Sequence, residues 1–518
     1  MSPSARSVTP ARVDASAVVV GSGPNGLAAA ITLARAGVTA RVLEAAATPG
    51  GGMRSFRNER FGTLHDQCSA VHPLALISPF FRSIGLARNV EFVRPPRPWA
   101  HGHSPARPEP GPPGTDEPTP PPSHAHGPAP APPLTHESPP HRRRPDPLTR
   151  FAASLAGVGA HAMLPPHTPL ALGTAALLGG TGLLAGWPIP RGGSQAIVDF
   201  LVRTLESLGG TIECNRRVDP GALPPEILSA DLVLWDTDAT TAHLAARPDT
   251  PAPPRRYGPG AAKADFVTNA PIPWSDPAMR QAGTVHLGGT WSDVSAAERA
   301  INSGRPAEHP VVLVSQPSLF DSSRAPAGLH TVWAYAHVPF GSRENPAEII
   351  TREIERFAPG FSATVLDVRT TTAEQLSEYN LNYVGGDIAT GATRGLQMLT
   401  GGSLRKARAG ESTGAASLGP AGGPGLDRGL RKSWRSVLSS STRLRLPVHS
   451  LLSWPARFAA SPWTLPRPGW YLCSAATPPG PGVHGMAGYI AARLALQTMD
   501  QPAPSSLRRA YQAMTPCP

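Results

Sequence analysis

Cysteine is scarce in this chain of 518 residues. Cys68, Cys214, Cys473 and Cys517 form no C-x-x-C pair and no metal-type spacing, which excludes a redox disulfide of the disulfide-reductase kind and a cysteine-held metal. No metal site is expected, and reduced thiols point to a cytoplasmic protein. Charged residues are also few, at 16%, and aromatics make up 6%. Long apolar runs are nearly absent. The one candidate, Leu170 to Trp187, holds five glycines and ends at Pro188, so it reads as a buried helix pair or an apolar wall rather than a membrane span. No basic stripe interleaved with aromatics accompanies the net charge of +11. Nine Lys/Arg lie between Ser403 and Pro447 with only Glu411 and Asp427 beside them, so the excess is local. Nucleic acid is therefore not an expected partner.

What the chain has in excess is proline (63) and glycine (52). They are unevenly spread and divide it. Residues 1–15 read as a disordered leader and 16–94 as the first part of a nucleotide-binding domain. The stretch 95–147 holds 20 prolines and cannot bury enough apolar surface to offset its ordering entropy. Residues 148–254 read as a helical segment returning to the nucleotide domain. Residues 255–400 alternate strands and helices, as a mixed-sheet substrate domain would. The stretch 401–447 is basic and of low complexity, and 448–518 complete the nucleotide domain.

The most informative stretch is Ser16 to Ser55. An apolar run, Ala17 to Val20, precedes Gly21, Gly23 and Gly26, which fit G-x-G-x-x-G. A small-residue helix follows, from Leu27 to Ala36, and a second apolar run, Thr39 to Leu43, ends at Glu44. Strand, glycine turn, helix, strand and acid in this order are the fingerprint of a dinucleotide fold. The glycines permit a tight turn, close approach of a pyrophosphate and close helix–strand packing, and Asn25 lies in the same turn. Glu44 is placed to accept hydrogen bonds from ribose hydroxyls. A second glycine run, Gly50-Gly51-Gly52, follows with Arg54, a cation able to face the same pyrophosphate.

Further along, Pro190-Arg191-Gly192-Gly193-Ser194 leads into an amphipathic helix, Gln195 to Leu208, with Ser194 as its N-cap. A helix over Pro73–Leu86 is expected between the first nucleotide block and a short strand. Near the C-terminus, Trp470 to Cys473 reads as a strand running through a Pro/Gly loop into a small-residue helix. The N–H groups near Gly482 and Val483 would face a cofactor ring edge.

Together these blocks resemble the phytoene-desaturase-like FAD-dependent oxidoreductases, a branch that also contains amine oxidases. The resemblance covers Val18–Pro79, Trp187–Phe361 and Tyr379–Gly386, then Gly469–Ala492. It implies an α/β fold with a Rossmann-like FAD-binding domain of the glutathione-reductase kind and a mixed-sheet substrate domain. It implies noncovalent FAD held by Gly21, Gly23, Asn25, Gly26, Glu44, Gly51, Gly52, Arg54, Gly482 and Val483, with the backbone of Val218 at the adenine. It also implies dehydrogenation of an apolar, isoprenoid or carotenoid-like molecule. Family members place residues corresponding to His65–Pro73 beside the flavin ring, which makes His65, Asp66 and His72 candidates to line the site. With His484, whose loop should pass the flavin, His65 and Asp66 are the catalytic candidates. No second strand–GxGxxG–helix unit is present for NAD(P)H, so oxygen or a quinone is the expected electron acceptor. Peripheral membrane association would suit an apolar substrate. The alternatives are an amine-oxidase-like flavoprotein and a non-catalytic prenyl or lipid binder on the same fold.

Overall fold

A computed structural model of the chain describes residues 15–103, 146–252, 254–395, 397–400 and 461–499. The expectations for residues 1–14 and 401–447 lie outside the described residues. So does most of 95–147.

Two sheets organise the molecule. The first is a parallel sheet of five strands: β1 (Ser16–Val20), β2 (Thr39–Leu43), β8 (Thr211–Glu213), β9 (Leu232–Trp235) and β15 (Trp470–Leu472), in the order β15-β9-β1-β2-β8. Its central strands are buried on both faces, which is why they read as unbroken apolar runs. Helix α1 (Pro24–Arg35) starts with Pro24, whose fixed φ and missing N–H suit a first helical turn. Its small residues let it lie close to the C-terminal helix Met486–Met499, where a Cβ on Gly488 would come within 1.8 Å of the Asn25 carbonyl oxygen.

Two short antiparallel pairs link the layers: β3 (Ser55–Asn58) with β4 (Thr63–Asp66), and β5 (Phe92–Val93) with β7 (Ile189–Pro190). The second large sheet contains β6 (Arg97–Gly102), β10 (Gly260–Thr268), β11 (Ala282–Leu287), β12 (Val312–Ser315), β13 (His330–Val338) and β14 (Val365–Thr371). Their order is β14-β10-β13-β12-β11-β6. All pairs are antiparallel except β6 with β11, so the sheet is mixed. Along β10, Ala262, Ala264 and Phe266 pack beneath the helix Pro346–Phe357, while Lys263 and Asp265 stand on the opposite face, toward β4.

Strand β6 corrects the expected boundary at Pro95. Residues 97–102 are ordered despite their prolines because they add to the edge of the sheet, where Pro98 need not donate to a ladder. Pro73–Leu86 is not one helix: turns lead to two short segments, Pro79–Ser83 and Leu86–Asn89, separated at Gly85, whose φ is 74°. The Ser194 hydroxyl does not cap its helix, α4 (Gln195–Ser207). It donates to Ser69 O, and the first N–H groups are taken instead by Asp66 and Ser55.

The apolar stretch is a single helix, α3 (Pro169–Ala185). It packs against α2 (Pro147–Gly159), with Gly159 touching Ala171 and Ala175 at one end. Its outer face is not buried: Leu183 and Leu184 are 82% and 87% exposed. Among the described residues no helix is long and apolar enough to cross a membrane.

Candidate functional site

The glycine turn between β1 and α1 is closed tightly. A Cβ on Gly26 would lie 2.1 Å from the Gly21 carbonyl oxygen, and Gly21 itself has φ 99°. At the end of β2, Glu44 accepts from Ser22 N at 2.9 Å, Ala46 N at 2.8 Å and Arg54 Nη2 at 3.1 Å. The Gly50 N–H donates to Ser22 O at 3.1 Å, and a Cβ on Gly51 would meet Gly23 Cα at 3.1 Å. The two glycine loops therefore meet as the sequence implies, with Glu44 and Arg54 tying them together. Asn25, nearly buried, has no partner for its Oδ1.

The second domain reaches this junction through the helix Ala373–Tyr379 and the loop after it. The Tyr379 hydroxyl donates to Gly51 O at 3.1 Å and accepts from Arg54 Nη1 at 3.2 Å. A Cβ on Gly52 would lie 2.4 Å from the Tyr383 hydroxyl oxygen. Both tyrosines lie in the Tyr379–Gly386 block of the resemblance, but neither was named as a site residue.

The candidates from His65–Pro73 separate into different roles. Asp66 is completely buried, bonded to Arg324 Nη1 at 2.8 Å and to Ser55 Oγ and Ser194 N, both at 2.7 Å. Burial alone would raise its pKa. Arg324, the Ser194 N–H and Ser55 reverse that and hold it below the usual carboxylate value. A carboxylate so bonded is a poor proton carrier and a good structural anchor. His72 bonds Ser194 Oγ at 2.8 Å, and burial lowers its pKa to about 4. His65 stacks on Phe56, bonds Thr63 Oγ1 at 2.9 Å and approaches Asp265 Oδ1 at 3.7 Å.

His484 is buried beside the start of the C-terminal helix. Its Nδ1 accepts the Met486 N–H at 2.9 Å and its Nε2 lies 3.2 Å from Gly480 O. Burial brings its pKa down to about 4, so the ring is neutral near pH 7. The helix begins only at Met486, so Gly482 and Val483 belong to the approach loop, with Val483 packed on the rim of the first core. Val218 lies just beyond β8 against a separate apolar cluster around β9 and β15.

The clearest residue missed from the sequence is Lys263. It is one of three lysines in the chain and the only one among the described residues. It is buried, paired with Asp265, and its Nζ lies 5.9 Å from the centre of the Trp333 ring. Trp333 in turn donates to the Cys68 carbonyl at 2.8 Å. Lysine in a chain whose other basic side chains are almost all arginine was the available signal. Lys263→Met should lower stability by about 3 kcal/mol, because it strands the Asp265 carboxylate. The double variant Lys263→Met, Asp265→Leu should recover most of that loss in denaturant unfolding.

Residues 19–80 match the model of the NAD(P)-binding Rossmann-like domain. The first block is therefore a Rossmann-like domain within an α/β fold with mixed sheets. No curated protein matches the sequence. Among solved structures, an oxidoreductase from Methanosarcina mazei is similar at 16% identity and TM-score 0.46, covering 69% of this chain and 88% of its own. Cyclohexylamine oxidase from Brevibacterium oxydans is similar at 14% identity and TM-score 0.42, covering 70% and 85%. Rab GDI from Plasmodium falciparum is similar at 11% identity and TM-score 0.42, covering 69% and 89%.

Proposed function

We propose that this protein is an FAD-dependent oxidoreductase that dehydrogenates an apolar, isoprenoid-like molecule. The observation that carries the reading is the meeting of the two glycine loops. A simple NAD site needs only the first; the second, Gly50–Gly52 with Arg54, lies against it beneath Tyr379 and Tyr383. The residues fit a flavin dinucleotide. The turn has no room for side chains, Glu44 closes the strand after it and accepts from Ser22 N, and a buried Asn25 oxygen has no protein partner.

In this reading Gly21, Gly23 and Asn25 hold the pyrophosphate at the start of α1, and Gly26, whose Cβ would strike the Gly21 carbonyl, keeps the turn closed. Glu44 holds the ribose, Arg54 with Gly51 and Gly52 closes over the phosphates, and Val218 faces the adenine. Gly482 and Val483 approach the ring. Bound FAD supplies hydride acceptance. The chain's own residues orient the substrate and exclude water. Trp333, Tyr335, Val71 and Met163 form an apolar wall on the face of the second sheet that looks toward β4. Lys263, Asp265 and His65 place a buried polar group in that wall. Oxygen or a quinone would take the electrons.

The test is direct. Full-length protein incubated with FAD and desalted should stay yellow, and the flavin absorbance should bleach anaerobically with one apolar substrate class. A colourless protein that takes up no FAD overturns the reading and favours the prenyl or lipid binder. Bleaching by amines alone favours the amine-oxidase-like alternative.

A further inference from the structure

Asp236, which follows β9, is not part of the FAD signature, yet it lies across the glycine turn. Its backbone is pinned: its N–H donates to Val20 O at 2.8 Å and its carbonyl accepts from Asn382 Nδ2 at 3.1 Å. Its side chain, almost wholly buried, accepts the Gly26 N–H through Oδ2 at 2.8 Å. A Cβ on Gly23 would lie 2.6 Å from the same oxygen. The chain thus sets an anionic group of its own against the first turn of α1, where the helix N–H groups would meet a pyrophosphate. Asn25, in that turn, is the buried side chain with an unpartnered oxygen.

We propose that Asp236 is a proton-linked gate of the dinucleotide site, and that FAD binds with uptake of one proton by its carboxylate. This deepens the reading above and rests on it. The reason is electrostatic. An ionised Asp236 and a pyrophosphate would be like charges in one low-dielectric turn, and the proton removes one of them.

The titratable and charged groups around Asp236 are Glu44 with its partner Arg54, the Cys473 thiol after β15 and the Tyr383 phenol. Among the described residues no Lys or Arg pairs with Asp236. Burial first, then Glu44, outweigh the Gly26 and Gly23 N–H groups and raise the Asp236 pKa to about 7. A bound pyrophosphate raises it further. FAD affinity should therefore be flat below about pH 7 and fall about tenfold per pH unit above it, until the pKa of the complex is reached.

The experiment uses full-length protein and FAD. Affinity is read from quenching of flavin fluorescence between pH 6 and 9, and proton uptake from calorimetry at pH 8 in two buffers of different ionisation enthalpy. Wild type should show the slope and an uptake approaching one proton. Asp236→Asn keeps an oxygen for the Gly26 N–H, so its affinity should be level across the range and at pH 9 about a hundredfold tighter than wild type. Tight FAD binding with a flat wild-type profile and no proton uptake overturns the gate and leaves the flavoprotein reading standing. The same slope in Asp236→Asn overturns it too. Failure of wild type to bind FAD even at pH 6 overturns the flavoprotein reading itself. Should the variant not fold, wild-type proton uptake alone decides.

Discussion

Arg324→Met should cost about 5 kcal/mol in denaturant unfolding, the largest loss expected from one side chain here. Arg324 is fully buried. It holds Asp66 through Nη1 at 2.8 Å, Asp321 through Nε at 3.1 Å and the Pro190 carbonyl through Nη2 at 3.2 Å. Removing the guanidinium leaves the buried Asp66 carboxylate without a cation, to protonate or draw in water, and leaves Asp321 only Arg191, 3.6 Å away. Asp66 is held below the ordinary carboxylate value in the folded protein. Its contribution is present above the unfolded pKa and lost as pH falls through the folded one. The deficit of Arg324→Met should therefore shrink below about pH 4. A deficit of under 1 kcal/mol at pH 7 would show that this knot does not anchor β4 to the loops around it.

Gly26→Ala should weaken FAD binding about a hundredfold. The added Cβ would meet the Gly21 carbonyl oxygen at 2.1 Å and Asp236 Oδ2 at 2.9 Å. The first contact is backbone, so the turn must open or α1 must move, at a cost of about 3 kcal/mol for an overpacked site. Equilibrium binding against wild type is the measurement, with circular dichroism confirming the fold. An unchanged dissociation constant would remove the β1–α1 turn from the binding site.

These two expectations draw on different amounts of sequence information. Gly26 was legible at once, because a glycine turn between an apolar run and a small-residue helix has few other uses. The junction of the two glycine loops was legible for the same reason. Arg324 was not. It lies 258 residues from Asp66 in a stretch with no motif, and an arginine that will be buried looks like one that will be solvated. Lys263 and Asp265 were obscured similarly: within β10 they read as ordinary alternation, and only pairing with β13 beneath β4 makes them a buried ion pair. Asp236 carries no motif of its own, since only the pairing of β9 with β1 delivers it to the glycine turn. Strand β6 was hidden by composition, because the sheet edge it joins supplies what its own residues do not.

The strand order β15-β9-β1-β2-β8 sets a condition on synthesis. The central strand β1 emerges first, its neighbour β9 more than 200 residues later, and β15 near residue 470. Of the described elements, the helix Met486–Met499 that covers α1 comes last. A nascent chain therefore carries its nucleotide fold half-built through most of translation, with the open edge of β9 and the bare face of α1 exposed. Such long-range closure makes folding slow and dependent on the final stretch. A chain stopped before β15 would keep every glycine of the fingerprint and still lack the means to close around a cofactor.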